Sequence, residues 1–290
     1  MSGALSKQFM QGLCAADILS AVFLLVERKI NFMIKVLVIG ALGRMGTEVC
    51  KKVCSEADLE LVGGVDIKAT TITPAEGVTV EVTTDLEAAV KALQPDVVVD
   101  FTRPNVVMGN LRKVLPMGVH AVVGTTGFKP ADLEEVDALA KANNTGLLIA
   151  PNFALGAVVM MKLACEAAKY FSDVEIIEKH HDQKLDAPSG TAIITAQKIA
   201  EVRKAHKQGH PEEKETMAGV RGGDYEGIRI HSMRLKGYVA SQEVVFGGQG
   251  ETLTISTDPV SRECYMPGVA LACHKIIDKT GLVYGLDKLL

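Results

Sequence analysis

A short stretch in the second half of the chain, EKHHDQKLDAPSGTA at residues 178–192, carries the side chains best suited to chemistry. His180 and His181 are adjacent, and Lys184 follows three residues later. Histidine is the natural proton donor near neutral pH, and lysine supplies a full positive charge. Residues 189–191 read SGT and open a predicted helix, whose N-terminal amides and hydroxyls bind anions. The combination indicates a site for a carboxylate-bearing substrate.

Plainer interpretations exist for each of these residues. A lone histidine is usually a surface or core residue, and SGT is often only a helix cap. Two histidines, a lysine and a cap within a dozen residues favour a functional site over these. Metal binding by His180, His181 and Asp182 is disfavoured, because adjacent histidines cannot easily chelate one ion. The sequence therefore predicts no metal site.

A second constellation lies near the start of the regular pattern, where residues 38–46 read VIGALGRMG. Gly40, Gly43 and Gly46 recur at every third position between an apolar run and a helical pattern. A dinucleotide pyrophosphate needs backbone N–H groups at a helix N-terminus, with no side chains to hold the phosphates away. The spacing is GxxGxxG rather than GxGxxG, so a plain tight turn is the alternative.

An acidic residue supports the nucleotide interpretation. Asp66 lies about 20 residues beyond the loop, at the end of the next predicted strand, where a dinucleotide fold meets the adenosine ribose. The alternative for Asp66 is a solvated acid at a strand end. Arg44 and Lys68 lie close enough in sequence to offer positive charge to a 2′-phosphate.

The elements that must position these residues alternate regularly from Met33 to Phe153. Buried strands are predicted at residues 34–40, 59–66, 95–102, 120–127 and 145–153, and helices at 44–56, 85–93, 105–118 and 131–143. The polar, threonine-rich stretch after the second strand is assigned no element. Alternation of buried strand and helix predicts a parallel sheet with helices on both faces, a Rossmann-type domain.

The pattern changes after Phe153 to helices followed by consecutive strands. Helices are predicted at 156–171, 190–207 and 268–280, and strands at 174–181, 228–235, 240–247 and 251–258. This order predicts an α+β domain with a mixed sheet, within an α/β fold overall. The last helix is expected to pack back on the first domain. The expected domains are an N-terminal extension at 1–32, a dinucleotide-binding domain at 33–153, a second domain at 154–261 and a returning C-terminal segment at 262–290.

Composition restricts the class of protein. The net charge of −4, the absence of tryptophan and an aromatic content of 4% give no reason to expect a nucleic-acid or membrane partner. Six cysteines without a CxxC pair favour free thiols in a reducing cytoplasm. The apolar run at 15–26 is shorter than the roughly 20 residues of a membrane helix. Residues 1–32 are therefore interpreted as an extension from an early start codon, or as a short amphipathic docking helix.

Taken together, the motifs resemble the dihydrodipicolinate reductase (4-hydroxy-tetrahydrodipicolinate reductase) family from Met33 to Leu290. The matching stretches are GALGRMG (40–46), DFTRP (100–104), GTTGF (124–128), PNFALG (151–156), EKHHDQKLDAPSGTA (178–192) and SREC (261–264). The resemblance implies an NADH- or NADPH-dependent oxidoreductase of lysine and diaminopimelate biosynthesis. It further implies reduction of a cyclic dicarboxylate, and a homotetramer built through the sheet of the second domain, which thus becomes a substrate-binding and oligomerisation domain.

The resemblance also implies roles for individual residues. Residues implied to hold the dinucleotide are Gly40, Ala41, Leu42, Gly43, Arg44, Met45 and Asp66, and those beside the nicotinamide are Gly124, Thr125, Thr126, Ala150, Pro151, Asn152 and Phe153. His180 is the implied proton donor, with Lys184 as its cationic or acidic partner. Residues implied to hold the substrate carboxylates are His181, Gly190 and Thr191.

Other functions stay open at this point. A related dinucleotide-dependent dehydrogenase acting on another small carboxylate is one, and a non-catalytic NADPH-binding sensor is another. A sensor needs no proton donor beside a carboxylate site, so residues 178–192 argue against it. Some members of the family carry an acid–arginine pair after the second strand, where this chain has VDIK at 65–68. The preference between NADH and NADPH is therefore open.

Overall fold

A computed structural model of the chain describes residues 33–290. The predicted N-terminal extension at 1–32 lies outside the described residues. Within the described part, no helix combines the length and apolar character needed to cross a membrane.

The first domain is built on an eight-stranded sheet. Its strands are β1 (Ile34–Ile39), β2 (Leu59–Val65), β3 (Thr70–Ala75), β4 (Val78–Thr83), β5 (Val97–Asp100), β6 (His120–Val123), β7 (Gly146–Ile149) and β13 (Gly281–Tyr284), in the spatial order β13-β7-β6-β5-β1-β2-β4-β3. Every pairing is parallel except that of β3 with β4. The predicted parallel sheet is confirmed.

Helices cover both faces of this sheet. They are α1 (Arg44–Ser55), α2 (Leu86–Leu93), α3 (Pro104–Val114), α4 (Pro130–Ala142) and, from the end of the chain, α7 (Met266–Ile276). Alternate residues of β1 belong to different core clusters: Val36 and Val38 to one, Leu37 and Ile39 to the other. Burial on both faces explains why this strand is continuously apolar.

The threonine-rich stretch after β2 is a β-hairpin, which the sequence analysis missed. Strands β3 and β4 pair antiparallel around Gly77, whose φ is +74°. Their half-exposed, alternating pattern of β-branched and polar residues suits the edge of a sheet rather than its centre. No buried apolar run marks this edge in the sequence, so the hairpin was not predicted.

The end of the chain returns to the first sheet. Helix α7 packs against α1, and β13, which was not predicted, pairs with β7 and becomes an edge strand. Gly146 at the start of β7 allows this approach, because a Cβ there would lie 2.3 Å from the carbonyl oxygen of Ile276. The limits of the four predicted domains stay predictions.

The second domain has a five-stranded mixed sheet, as expected. Its strands are β8 (Asp173–His180), β9 (Gly223–Tyr225), β10 (Ile228–Arg234), β11 (Ala240–Gly248) and β12 (Glu251–Thr257), in the order β12-β11-β8-β10-β9. Strand β8 is parallel to β10 and antiparallel to β11. Helices α5 (Leu155–Ala167) and α6 (Gly190–Val202) pack on one face of this sheet.

Helix α6 ends five residues before the predicted position, at Val202 instead of residue 207. Arg203 is buried and adopts an extended conformation. Its guanidinium donates hydrogen bonds to the carbonyl oxygens of Ser172 and Glu226, at 2.9 and 2.8 Å. These bonds tie the chain to the sheet and stop the helix, which helical spacing alone did not reveal.

Candidate active site

A cavity of about 830 Å³ lies between the two sheets, at the carboxyl ends of the first-domain strands. The predicted cofactor-binding residues that line it are Met45, Gly124, Thr126, Pro151, Asn152 and Phe153. The predicted catalytic and substrate-binding residues that line it are His180, Lys184, His181, Gly190 and Thr191. The fold thus brings the two constellations of the sequence to one cleft, where open α/β sheets bind their ligands.

The glycine loop begins with a left-handed residue and ends in a close contact. Gly40 has φ of +82°, and a Cβ on Gly46 would lie 2.0 Å from the carbonyl oxygen of Gly40. Helix α1 can therefore start directly against the loop. Its first turn carries no acidic residue, and residues 42–44 are exposed. An exposed helix N-terminus without acidic side chains is suited to an anion.

Asp66 lies beside this loop rather than free in solvent. Its carboxylate accepts hydrogen bonds from the backbone N–H groups of Leu42 and Ile67, at 2.8 and 2.7 Å. A second cavity of about 480 Å³ lies at the start of α1 and is lined by Leu42, Arg44 and Arg262. Lys68 is exposed and lines neither cavity.

The predicted residues Ala41, Thr125 and Ala150 are buried and line neither cavity. The side chains of Ala41 and Ala150 belong to the core. Gly40 and Gly43 belong to the loop that holds α1 and likewise line neither cavity. These residues could contact a ligand only through their backbone groups. Otherwise they would act by setting the shape of the loop and the cleft.

Gly124 is one such shaping residue. A Cβ there would lie 2.0 Å from the ring of Phe101, and that ring packs against the ring of Phe153 with centroids 5.5 Å apart. Both aromatic rings line the large cavity. Glycine at this position lets the apolar wall of the cleft form.

Asp100, at the end of β5, organises the same wall, and the sequence analysis did not single it out. It is buried, and its carboxylate accepts hydrogen bonds from the Thr102 backbone N–H and hydroxyl, at 2.8 and 2.7 Å. Asn110 donates a third at 2.8 Å and the Thr125 hydroxyl a weaker fourth at 3.4 Å. An acid at the end of an otherwise apolar strand was the available signal.

Asn152 joins the two domains at the cleft. Its side-chain oxygen accepts a hydrogen bond from the Ala154 backbone N–H at 2.8 Å, and its amide nitrogen donates to the Thr191 hydroxyl at 3.3 Å. Further along, the Lys198 ammonium and the Asp287 carboxylate are 2.8 Å apart. These contacts connect helix α6 to the end of β7 and to the C-terminal segment.

The centre of the second-domain wall is Glu178, a fully buried carboxylate. Arg234 donates two hydrogen bonds to it, one to each oxygen, both 2.8 Å long. The Ser189 backbone N–H donates another at 3.2 Å, and the Nδ1 atom of His180 lies 2.5 Å from Oε2. Burial raises the pKa of Glu178, but the hydrogen bonds from Arg234, Ser232 and His180 outweigh it and leave that pKa below its usual range.

His180 is held in one orientation by this carboxylate. When Nδ1–H donates to Glu178, the second ring nitrogen, Nε2, is free to exchange a proton with a ligand. Burial lowers the pKa of His180, and the positive charges of Lys184 and Arg234 lower it further, while Glu178 acts in the opposite direction. The ring is therefore biased toward the neutral form in the protein alone.

Lys184 and the start of α6 supply positive potential beside the histidine. The Lys184 ammonium bonds both oxygens of Asp186, at 2.7 and 2.9 Å. This contact lowers the pKa of Asp186. Ser189 caps the helix by accepting a hydrogen bond from the Ala192 N–H at 3.2 Å.

His181 and Gly190, which the sequence analysis placed at the substrate, are exposed at the opening of this wall. The ring of His181 makes no hydrogen bond within residues 33–290, and Gly190 offers only its backbone. Both are accessible to a ligand that enters the cleft.

Glu178 and Arg234 were missed by the sequence analysis, although Glu178 stands inside its most informative stretch. Arg234 had no local signal, because it lies 56 residues away and reaches Glu178 through the pairing of β10 with β8. In residues 33–290, no group of three histidine, cysteine or acidic side chains is placed to hold a metal ion.

Comparison with known proteins identifies relatives that match this chain over both domains. The family model described as "Dihydrodipicolinate reductase, N-terminus" matches residues 34–153, and that described as "Dihydrodipicolinate reductase, C-terminus" matches residues 156–290. The 4-hydroxy-tetrahydrodipicolinate reductase of Lysinibacillus sphaericus is 49% identical over 263 residues, which cover 89% of this chain and 99% of the relative. That of Geobacillus thermodenitrificans is 50% identical over 262 residues, with the same coverage of 89% and 99%.

A solved structure agrees with these matches. The dipicolinate-bound dihydrodipicolinate reductase of Paenisporosarcina sp. TG-14 superimposes with a TM-score of 0.82 at 46% identity. The superposition covers 89% of this chain and all of the solved one. The similarity therefore extends through both domains.

Replacing Glu178 by glutamine tests the charge of the buried carboxylate. Glu178→Gln removes the negative charge that favours the protonated ring, so we expect the pKa of His180 to fall further. Loss of the charge-assisted hydrogen bonds from Arg234 should lower the free energy of unfolding by about 1.5–3 kcal/mol. NMR titration of the histidine rings and chemical denaturation measure the two effects.

Glu175→Gln is the matched control, since Glu175 also accepts from a histidine, His231, at 2.7 Å, but on the other face of β8. It should leave the titration of His180 unchanged. An unchanged pKa of His180 in Glu178→Gln would contradict the assigned coupling.

Proposed function

The chain belongs to the dihydrodipicolinate reductase family, and we propose that His180 donates the proton and Lys184 supplies the positive charge in its reaction. That reaction is the reduction of 4-hydroxy-tetrahydrodipicolinate to tetrahydrodipicolinate by NADH or NADPH, with loss of water, in lysine and diaminopimelate biosynthesis. The observation that carries the assignment of residues is the cavity itself. It places a carboxylate-bound histidine and a lysine opposite the carboxyl ends of a parallel sheet.

The first domain fits a dinucleotide. Gly40 and Gly46 leave no side chain between the strand and helix α1, and the first turn of α1 is free of acidic residues. In this proposal, residues 40–45 hold the pyrophosphate, Asp66 meets the adenosine ribose, and Arg44 and Lys68 lie near its 2′ position. Residues 124–126 and 150–153 line the nicotinamide side. When bound, the cofactor would supply a hydride to a ring carbon of the unsaturated dicarboxylate that remains after the 4-hydroxyl group has left as water together with a hydrogen of the neighbouring ring carbon.

The second domain fits a dicarboxylate. His181, Lys184 and the N-terminus of α6 at Gly190 and Thr191 all line one wall of the cavity. These groups donate hydrogen bonds or carry positive charge. A carboxylate accepts hydrogen bonds and is attracted to positive charge, so the wall suits it. Release of Lys184 from the exposed Asp186 would free its ammonium for the substrate.

His180 is the proposed donor of the proton. Its Nδ1 atom is occupied by Glu178, so the transferred proton would be held at Nε2. The substrate brings two negative charges, which favour the imidazolium form against the effect of burial. Negative charge that develops on the ring during reduction is then stabilised by Lys184 and neutralised by the proton from His180.

The proposal includes a cytoplasmic location. It also includes no binding partners other than small-molecule ligands and further copies of the chain. The free cysteines among residues 33–290 and the net charge of −4 support it. Recovery of the protein in a membrane or nucleic-acid fraction of lysed cells would contradict it.

Alanine replacement of the two proposed catalytic residues tests their roles. His180→Ala and Lys184→Ala should each lower kcat by about 100-fold or more, because each removes a proton donor or a charge used in the transition state. The assay follows cofactor absorbance with freshly made substrate, using NADH and NADPH in parallel. His210→Ala and Lys207→Ala, which change exposed residues beyond α6, are the controls. Rates like those of the unmodified protein in both variants would rule out the assigned roles.

Asp66 tests the cofactor side. A carboxylate at the ribose accepts hydrogen bonds from 2′ and 3′ hydroxyls and repels a 2′-phosphate. Asp66→Ala should therefore raise KM for NADH by about tenfold, equivalent to one charge-assisted hydrogen bond, and shift the ratio of kcat/KM values toward NADPH. Glu60→Ala, at an exposed position of β2, is the control. An unchanged ratio would show that Asp66 does not meet the ribose.

The second sheet offers a surface for the proposed homotetramer. Helices α5 and α6 cover one face, whereas the other face carries Ile177, Val245 and the Lys179–Glu243 ion pair. Sedimentation should give four times the chain mass of 30.9 kDa. Val245→Lys should reduce that mass, because it buries an unpaired charge, while Val106→Lys on helix α3 should not. A single-chain mass for the unmodified protein would contradict the proposal.

A further inference from the structure

One polar side chain of the large cavity has no role in the scheme above. Gln242 lies on β11 directly opposite Glu178 of β8, on the face of the sheet that packs against α6. It lines the cavity but is only 3% exposed. A buried amide in such a position needs partners for both its nitrogen and its oxygen.

Its nitrogen has one. The Gln242 Nε2 atom donates to the Thr195 hydroxyl at 2.8 Å, and that hydroxyl donates in turn to the Thr191 carbonyl oxygen at 2.7 Å. If the amide were flipped, its oxygen would face the Thr195 hydroxyl. The one hydrogen of that hydroxyl would then have to serve two acceptors, the Gln242 oxygen and the Thr191 carbonyl oxygen. The chain of hydrogen bonds therefore fixes which end of the amide is which.

Its oxygen has none. The Gln242 Oε1 atom is buried without a hydrogen-bond partner in residues 33–290, and it is the one such side-chain oxygen there that belongs to a residue of the cavity wall. Buried acceptors are normally satisfied, so an unpaired one beside a ligand site calls for a donor from the ligand.

The chemistry of this atom differs from that of its surroundings. Lys184, His181 and the amides at the start of α6 donate hydrogen bonds, and they suit carboxylates. The Gln242 carbonyl only accepts, so it is unsuited to a carboxylate and needs an O–H or N–H group. Gln242 also lies between Glu178, which holds the proposed proton donor, and Thr195, which contacts the proposed carboxylate-binding Thr191. The group that it meets therefore belongs to the ring between these two points.

We propose that Gln242 is a specificity-determining residue whose carbonyl oxygen accepts a hydrogen bond from the 4-hydroxyl group of the substrate. This inference rests on the proposed function, which provides that hydroxyl. Dipicolinate, an aromatic dicarboxylate, has no hydroxyl on its ring and cannot make the bond. Gln242 thus separates recognition of the hydroxylated ring from recognition of its two carboxylates.

The test compares the two ligands on one variant. Gln242→Met keeps the length of the side chain and removes the carbonyl. It should raise KM for 4-hydroxy-tetrahydrodipicolinate about 5- to 10-fold, the effect expected of one neutral hydrogen bond. The dissociation constant of dipicolinate, measured by calorimetry in the presence of the oxidised cofactor, should change by less than about twofold. Gln197→Met makes the same chemical change at an exposed position of α6 and should alter neither quantity.

Gln242→Asn, which withdraws the carbonyl while keeping an amide, provides a second variant if the first folds poorly, and melting temperatures report on folding. Equal weakening toward both ligands would show that Gln242 only supports the structure. An unchanged KM in a folded variant would also overturn the inference. An unmodified protein that binds dipicolinate but oxidises no cofactor with the hydroxylated substrate would instead refute the proposed function, and the inference with it.

Discussion

The active site depends on one buried carboxylate, that of Glu178. A charge without solvent is costly unless it is paired and hydrogen-bonded, and here the cost is met by a bidentate guanidinium, a backbone N–H and a histidine ring. The partners come from β10, from the residue before α6 and from the end of β8. Satisfying one anion therefore fixes the relative positions of three elements. It also fixes the orientation of His180, which points its remaining nitrogen away from the core.

The same carboxylate sets the electrostatic balance at the histidine. Burial, Lys184 and Arg234 all favour a neutral ring, and Glu178 alone opposes them. In this arrangement, binding of a dianionic ligand would favour protonation of the His180 ring. In the proposed reaction, His180 is thus charged when a substrate is present to receive its proton. Lys184, which is proposed to stabilise negative charge, is paired with the exposed Asp186.

The two domains contribute different kinds of group to the cleft. The first contributes mainly backbone and shape: a glycine loop, the apolar wall of Phe101 and Phe153, and a buried aspartate, Asp100, that holds the strand ends. The second contributes charged groups and the proposed proton donor, His180. Asn152 crosses between them to the hydroxyl of Thr191, so the proposed nicotinamide side and the proposed carboxylate side are in direct contact.

The sequence by itself determined the parallel sheet, the second mixed sheet and several of the residues that line the cleft. Buried strands are continuously apolar, glycines mark the loop before helix α1, and His180, His181 and Lys184 stand within five positions of one another. These signals are local, and local patterns survive in the sequence. The β3–β4 hairpin was not predicted because its strands alternate polar and β-branched residues, and β13 was not predicted because its apolar run is short.

Only the tertiary structure decided how the proposed catalytic groups are held. Arg234 reaches Glu178 across 56 residues, and Gln242 stands beside the same carboxylate across 64 residues through the pairing of β11 with β8. Whether a buried polar atom finds a partner depends on what the fold places around it, and no spacing in the sequence records that. Candidate reacting groups could therefore be predicted from the chain, whereas their orientation, electrostatic surroundings and hydrogen-bond partners are set by strand pairing.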